Sequence, residues 1–289
     1  MARRRPATVH GCVIVDKPPG PTSHDVVVLL RRRFGERRIG HAGTLDPSAT
    51  GVLVAGIGQA TRLLRFAAAR TKSYECEIVF GVETSTLDAD GEPVACWPMS
   101  LDPADVAAAA KRFTGAIAQL PPMVSAVRVG GRRLHEIARA GAAAERAPRA
   151  VHVGRFEVRP TEDQQVYRAW VDCSAGTYVR ALGADLGTAL GGGAHIRSLR
   201  RTRSGSFALC DAQPVGEAVL RPAGDLVRDL TQLRLSDDEA AKARGGAHLA
   251  GRRYRGDGPW ALRDAGGELI GVHERVDGRI RATVLPLQG

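Results

Sequence analysis

Residues 40–51, GHAGTLDPSATG, gather His41, Thr44 and Asp46 into one short segment. A carboxylate such as Asp46 can act as a nucleophile or as a general base. The segment is too polar and too glycine-rich to be the core of a strand or helix. The run VLVAGIG that follows from Val52 reads as a buried strand. A loop feeding a buried strand holds reactive side chains on a rigid mount. Pro47 biases Asp46 away from the helical region. The competing reading makes Asp46 the cap of a helical turn, with Pro47 at its first position. Two further residues stand where chemistry could use them: Tyr74 near the start of a strand and Arg180 near the start of a helix. Metal ligation needs clustered ligands, and no H-x-x-x-H is present. The five cysteines are scattered without a C-x-x-C pair, which argues against zinc and against a disulfide framework. They read as small apolar residues in a reducing compartment. G-x-S-x-G, the phosphate-binding loop and the dinucleotide fingerprint are also absent.

The elements that must position these residues follow from periodicity. The apolar run 12–15 predicts a strand buried on both faces. Ser23 is the expected N-cap of a helix over 24–34, which ends in three arginines and Gly35. Residues 59–69 have helical spacing. KSYECEIVFG, from Lys72, alternates as a strand with Tyr74, Cys76, Ile78 and Phe80 on one face. Asp102 and Pro103 open a helix to about 113. Residues 125–133 predict a hairpin turning at Gly130 and Gly131, followed by a short helix over about 134–140. Strands are expected at 151–158 and 166–173, and a helix beginning near Thr177. The stretch from His195, HIRSLRRTRSGSF, alternates as a strand while carrying Arg197, Arg200, Arg201 and Arg203. So many arginines suggest one face turned to solvent or phosphate, and Arg200 and Arg201 are expected among the contacts to such phosphates. Ser236 to Glu239 match a capping box, and short strands follow at Ala261, 269–273 and 280–285.

The chain has 289 residues, 44% of them hydrophobic, enough for one large domain and a smaller one. Lys and Arg number 41 against 31 Asp and Glu, a formal net charge of +10. Such an excess favours a polyanionic partner, most simply nucleic acid. The first residues lack an apolar signal core and no apolar run could span a bilayer, so a cytoplasmic protein is expected.

GHAGTLDPSATGVL closely resembles the catalytic motif of the bacterial tRNA pseudouridine-55 synthases of the TruB type. The likeness continues, in order, through DKPPGPTSHD, KSYECEIVFG, TSTLDADGE, QLPPMVSAVRVGGRRLHEIARAG, CSAGTYVRALGADLG and GAHIRSLRRTRSGSF. It implies an α+β fold: a mixed, mainly antiparallel sheet with flanking helices, plus a small β-rich, PUA-like C-terminal domain. The expected division is a catalytic domain over 1–225, with a mobile basic hairpin-helix insertion at about 123–150, and an RNA-binding domain over 231–289. The implied reaction turns uridine 55 of the tRNA T-loop into pseudouridine, with neither cofactor nor metal, on a monomer. Asp46 stands at the family's nucleophile position. Arg180 resembles the arginine that pairs with it, an arrangement that lowers a carboxylate pKa and fixes its direction. Tyr74 resembles the tyrosine that stacks on the flipped base. Tyr178 and Leu199 match positions lining the base pocket. His41 matches the residue that helps fill the space left by the base, and Lys17 a lysine that supports the site. Arg132 and Arg133, on the hairpin, are expected at RNA phosphates. Val124, Arg128 and His24 depart from the residues usual in the family. The alternative from another class is a tRNA-binding or RNA-folding factor without catalysis, which would need neither Asp46 nor Arg180.

Overall fold

The computed structural model describes residues 7–125, 128–134, 137, 142, 144–245, 249 and 254–284, with the backbone alone described at 128, 129 and 133. In chain order the elements are β1 (Gly11–Lys17), α1 (Ser23–Phe34), β2 (Ile39–His41), β3 (Thr50–Ile57), a 3₁₀ segment over Gly58–Leu63, α2 (Leu64–Ala68), β4 (Lys72–Phe80), β5 (Val82–Thr84) and β6 (Pro93–Cys96). There follow α3 (Pro103–Lys111), β7 (Gly115–Gln119), β8 (Arg128–Val129), β9 (Arg132–Arg133), β10 (Arg149–Pro160), β11 (Val166–Cys173), α4 (Val179–Ala189), β12 (Ala194–Ser204) and β13 (Phe207–Ala208). The chain closes with β14 (Thr231–Arg234), α5 (Asp237–Arg244), β15 (Trp260–Arg263), β16 (Leu269–Val276) and β17 (Arg279–Val284). This is the α+β content expected. Two compact units form, one from Met1–Pro47, Gly51–Ala69 and Ser204–Gly289, the other from Ser48–Thr50 and Arg70–Arg203.

In the first unit β1 and β3 pair antiparallel, with Val13 opposite Ala55 and Val15 opposite Leu53. The unbroken apolar run in β1 has a physical cause: both faces are covered. Val13 and Val15 meet Val26, Val27 and Leu30 of α1. Cys12 and Ile14 face the opposite way, into a core with Leu63, Phe66, Leu226, Leu269 and Val272. Truncating a residue there, such as Ile14 to Ala, is expected to cost about 2–5 kcal/mol. The C-terminal strands form a four-stranded sheet in the order β14-β15-β16-β17, with β14 parallel to β15 and the rest antiparallel. Its Ala261 and Val272 share the core that Cys12 and Ile14 enter.

In the second unit the strand order is β12-β4-β11-β10-β7. Cys76, Ile78 and Phe80 of β4 lie in one core with Tyr167, Ala169 and Val171 of β11 and with Val106 and Leu182 of the helices α3 and α4. Helices cover that face. The other face carries Arg155, Glu157 and Arg159 in mutual ion pairs, with Arg159 over the Trp170 ring. A half-buried antiparallel sheet alternates in this way.

Local chemistry corrects several expected boundaries. Thr22, not Ser23, caps α1, through a reciprocal box with Asp25. The helix expected over 59–69 begins as 3₁₀. The helix expected from Thr177 starts at Val179 with Tyr178 as its cap. The capping box at Ser236 and Glu239 forms as read. The hairpin turns at Gly130 and Gly131, both left-handed at φ 58 and 83. The short helix over 134–140 lies mainly outside the described residues.

Candidate active site

In the first unit β2 lies beside β3, with His41 opposite Ala55. The Ala42 N–H donates to Val54 O at 2.8 Å, and the chain then leaves the ladder. Residues 42–49 form no helical turn. Asp46 therefore caps no helix, and that competing reading falls. Gly43 turns the loop at φ 118, where a side chain would strain the backbone.

The loop is held on both sides of Asp46. On the N-terminal side, the buried Ser23 hydroxyl accepts from Leu45 N–H at 2.8 Å and donates to Leu45 O at 3.1 Å. On the C-terminal side, Lys17, 0% exposed, donates to Pro47 O at 2.9 Å and to Pro18 O at 2.8 Å. Gly20 N–H donates to the same Pro47 oxygen at 2.9 Å. An ammonium has three donors and no acceptor, so two carbonyls are suitable partners for a buried lysine. Lys17 thus acts on the loop's backbone, from the last residue of a strand covered on both faces.

The second unit holds the remaining residues. Tyr74 is half-buried on the β4 face, opposite Val171 of β11, and packs against the unit's core. Leu199 of β12 packs against the same core. Exposed Arg197 and Ser198 interrupt the alternation of β12 and both bind Glu77. This slip of phase carries Arg201 inward, and its side chain is 1% exposed. The expectation that Arg201 faces phosphate thus does not match its burial. Arg200 is half-buried, and its Nη1 donates to Thr50 Oγ1 at 3.2 Å. Lys72, opposite Cys173 and on the same β4 face as Tyr74, is also buried. Burial, with the Arg201 charge adding to it, pushes the Lys72 ammonium down to about 8.

Arg180 occupies the first turn of α4 and is 4% exposed. Its guanidinium joins several segments of the chain. Nη1 donates to Thr86 O at 2.7 Å, Nη2 donates to Val124 O at 2.8 Å, and Asp88 Oδ2 lies 3.3 Å from Nη1. A planar fork with five donors suits such a junction. Asp88 is itself fixed: its carboxylate accepts from the Thr86 hydroxyl at 2.5 Å and from Asp90 N–H at 3.2 Å. Tyr178, half-buried, is gripped through its backbone. Gln119 Nε2 donates to Tyr178 O at 3.0 Å, and Tyr178 N–H donates to Gln119 Oε1 at 2.7 Å. Arg132 is exposed on β9, and the Arg133 side chain lies outside the described residues.

The first unit thus brings Lys17 and the segment around Asp46 together, beside His41 on β2. The second collects Tyr74, Leu199, Tyr178 and Arg180. Sequence reasoning missed Asp88 and Gln119 as partners. Asp88 lies in TSTLDADGE, where only the Asp90-Gly91 turn signal stands out locally. Gln119 closes a strand next to Leu120, Pro121 and Pro122 and gives no local signal.

A profile described as "TruB family pseudouridylate synthase (N terminal domain)" matches residues 31–179. One described as "tRNA pseudouridylate synthase B C-terminal domain" matches residues 180–221. The chain is 45% identical over 285 residues to the tRNA pseudouridine synthase B of Mycobacterium ulcerans, covering 95% of this chain and 94% of that one. The enzyme of the same name from Symbiobacterium thermophilum is 46% identical over 242 residues, covering 81% of each chain. Among solved structures, a chain of a Cbf5-Nop10-Gar1 complex superposes with a TM-score of 0.71 at 25% identity, covering 96% of this chain and 84% of that one. A chain of an H/ACA RNP bound to a substrate RNA containing 2'-deoxyuridine has the same fold, with a TM-score of 0.71 at 23% identity over 96% of this chain and 85% of that one. No helix among the described residues is long and apolar enough to cross a membrane.

Proposed function

We propose, for a chain that belongs to the TruB family of pseudouridylate synthases, that it converts uridine 55 in the T-loop of tRNA to pseudouridine. It is an isomerase: the glycosidic bond to the uracil nitrogen breaks and the ring rejoins the ribose through carbon. The observation that carries the reading is the fixed backbone around Asp46, in a non-helical loop held at Leu45 and Pro47. A carboxylate with no helix to cap, mounted on a rigid backbone, suits chemistry better than a structural duty.

Asp46, Arg180 and Tyr74 carry the reaction in this proposal. Asp46 works ionised, as nucleophile or base. Arg180 supplies a fixed cation that favours the ionised carboxylate. Tyr74 offers its ring to the extruded base, because a base taken out of its stack needs another π surface. Tyr178 and Leu199 line the pocket for that base, and His41 helps fill the space that it leaves. Lys17 keeps the Asp46 loop in place. Arg132, Arg133 and Arg200 meet RNA phosphates, whereas the buried Arg201 acts from inside the protein. The C-terminal sheet serves as a small RNA-binding, PUA-like domain. The enzyme acts as a monomer in the cytoplasm.

The test is to incubate the purified protein with an unmodified tRNA transcript and map pseudouridine by carbodiimide-blocked primer extension. A stop at uridine 55 is the expected result. No stop, or a stop only at another uridine, contradicts the assignment.

A further inference from the structure

Gln119, the last residue of β7, and Val124, in the loop that leads on to the hairpin β8–β9, both bind the start of α4. Gln119, 2% exposed, holds Tyr178 with the two bonds given above. Five residues further on, Val124 O accepts from Arg180 Nη2 at 2.8 Å. One short segment therefore binds both the residue assigned to the base pocket and the arginine assigned to the reaction.

The amide of Gln119 complements both backbone polar groups of one residue. It accepts from the Tyr178 N–H and donates to the Tyr178 carbonyl, as a neighbouring strand would. Tyr178 is extended, at φ -104 and ψ 108, and no side chain of its own caps the helix behind it. The first N–H groups of a helix have no partner within it. Gln119 thus replaces a local cap with one that comes from a separate strand. Its grip also sets the direction in which α4 leaves, and so the position of Arg180 two residues later.

We propose that Gln119 is a positioning residue of this site. It acts on the reaction through Tyr178 and Arg180, and it carries the placement of the hairpin's stem into the first turn of α4. The proposal rests on the isomerase reading above. A purely structural cap would lower melting temperature and affect binding and chemistry alike. A positioning residue acts on the chemical step, because small misplacements of reacting groups have large rate effects.

The experiment uses the full-length protein and tRNA labelled with tritium at uracil carbon 5. Three forms are compared: wild type, Gln119→Leu, which loses both bonds, and Gln119→Glu, which can still accept from the Tyr178 N–H. Single-turnover rates at saturating tRNA, dissociation constants and melting temperatures are measured, together with hydrogen exchange at the Tyr178 amide. The expected result is a single-turnover rate lower by about tenfold or more in Gln119→Leu, with affinity unchanged and faster exchange at Tyr178. Gln119→Glu is expected to fall between it and wild type. If Gln119→Leu does not fold, Gln119→Glu decides on the same measurements. A folded variant with the wild-type single-turnover rate overturns the proposal, as does a rate loss matched by an equal loss of affinity. Absence of tritium release by wild type contradicts the isomerase reading itself, and the exchange at Tyr178 still reports whether Gln119 holds that backbone.

Discussion

Asp46 is flanked by two anchored carbonyls, and Arg180 joins Thr86, Val124 and Asp88 in the other unit. The two are fixed by different means: one by its neighbours' backbone, the other by its own side chain. Arg180→Lys keeps the charge but cannot reach Thr86 O, Val124 O and Asp88 together. It is expected to lower the single-turnover rate by about a hundredfold, since a positioning error is enough for such a loss. A rate within a few-fold of wild type would show that charge alone suffices. The thiols give a second test. Burial pushes Cys12 and Cys76 up to about 12 and Cys173 up to about 11, so none supplies a thiolate at neutral pH. Cys96 and Cys210 are exposed. A thiol reagent should label those two in the native protein and all five after unfolding; rapid native labelling of Cys76 would contradict the packing of β4. Asp46, Tyr74 and Arg180 can be proposed from the sequence because they lie within contiguous motifs. The Gln119–Tyr178 pair cannot, because its partners are 59 residues apart and only folding places them side by side.

At the scale of elements, the apolar patterns of β1, β4, β10 and β11 were readable because one or both faces of each meet a core. The helix α1 starts one residue earlier than its sequence signals suggest. Thr22 and Ser23 are adjacent hydroxyls, and the box with Asp25 selects Thr22. That leaves Ser23 free to clamp Leu45, so one local signal served two elements. Ser23→Ala leaves a buried Leu45 N–H without its partner and is expected to cost about 1–3 kcal/mol in a urea titration. A stability equal to wild type would mean that the loop does not depend on this clamp. β12 forms the strand that its sequence suggests, but alternation does not show the slip at Arg197 and Ser198 that buries Arg201. The resulting pair of buried cations has a pH signature. Burial holds the Lys72 ammonium down at about 8, below the ordinary lysine value of 10.5, so the unfolded chain binds the proton more tightly. The cost of charging Lys72 is fully present below about pH 8 and is relieved as pH rises towards the unfolded value. Wild-type stability relative to Lys72→Met should therefore increase between pH 7 and pH 10. A difference that is flat or falling over that range would contradict the depressed pKa.

For the whole molecule, the net charge of +10 and a polyanionic substrate predict tRNA affinity that falls steeply with salt. Replacing Arg132 and Arg133 by Ala should flatten the log–log slope by about one unit for each side chain that meets a phosphate. Arg201→Gln, at a buried position, should leave the slope unchanged. An equal effect from both replacements would place Arg201 at the RNA. The isomerisation is assigned to Asp46, and a single substitution probes that assignment. Asp46→Asn is nearly isosteric and keeps a side-chain oxygen, but an amide is neither a useful nucleophile nor a base. The measurement is tritium release from carbon-5-labelled uridine in a T-loop stem-loop, with tRNA binding and melting temperature as controls. The expected result is a folded variant that binds tRNA and releases no tritium above background. Substantial release by that variant would contradict the assignment.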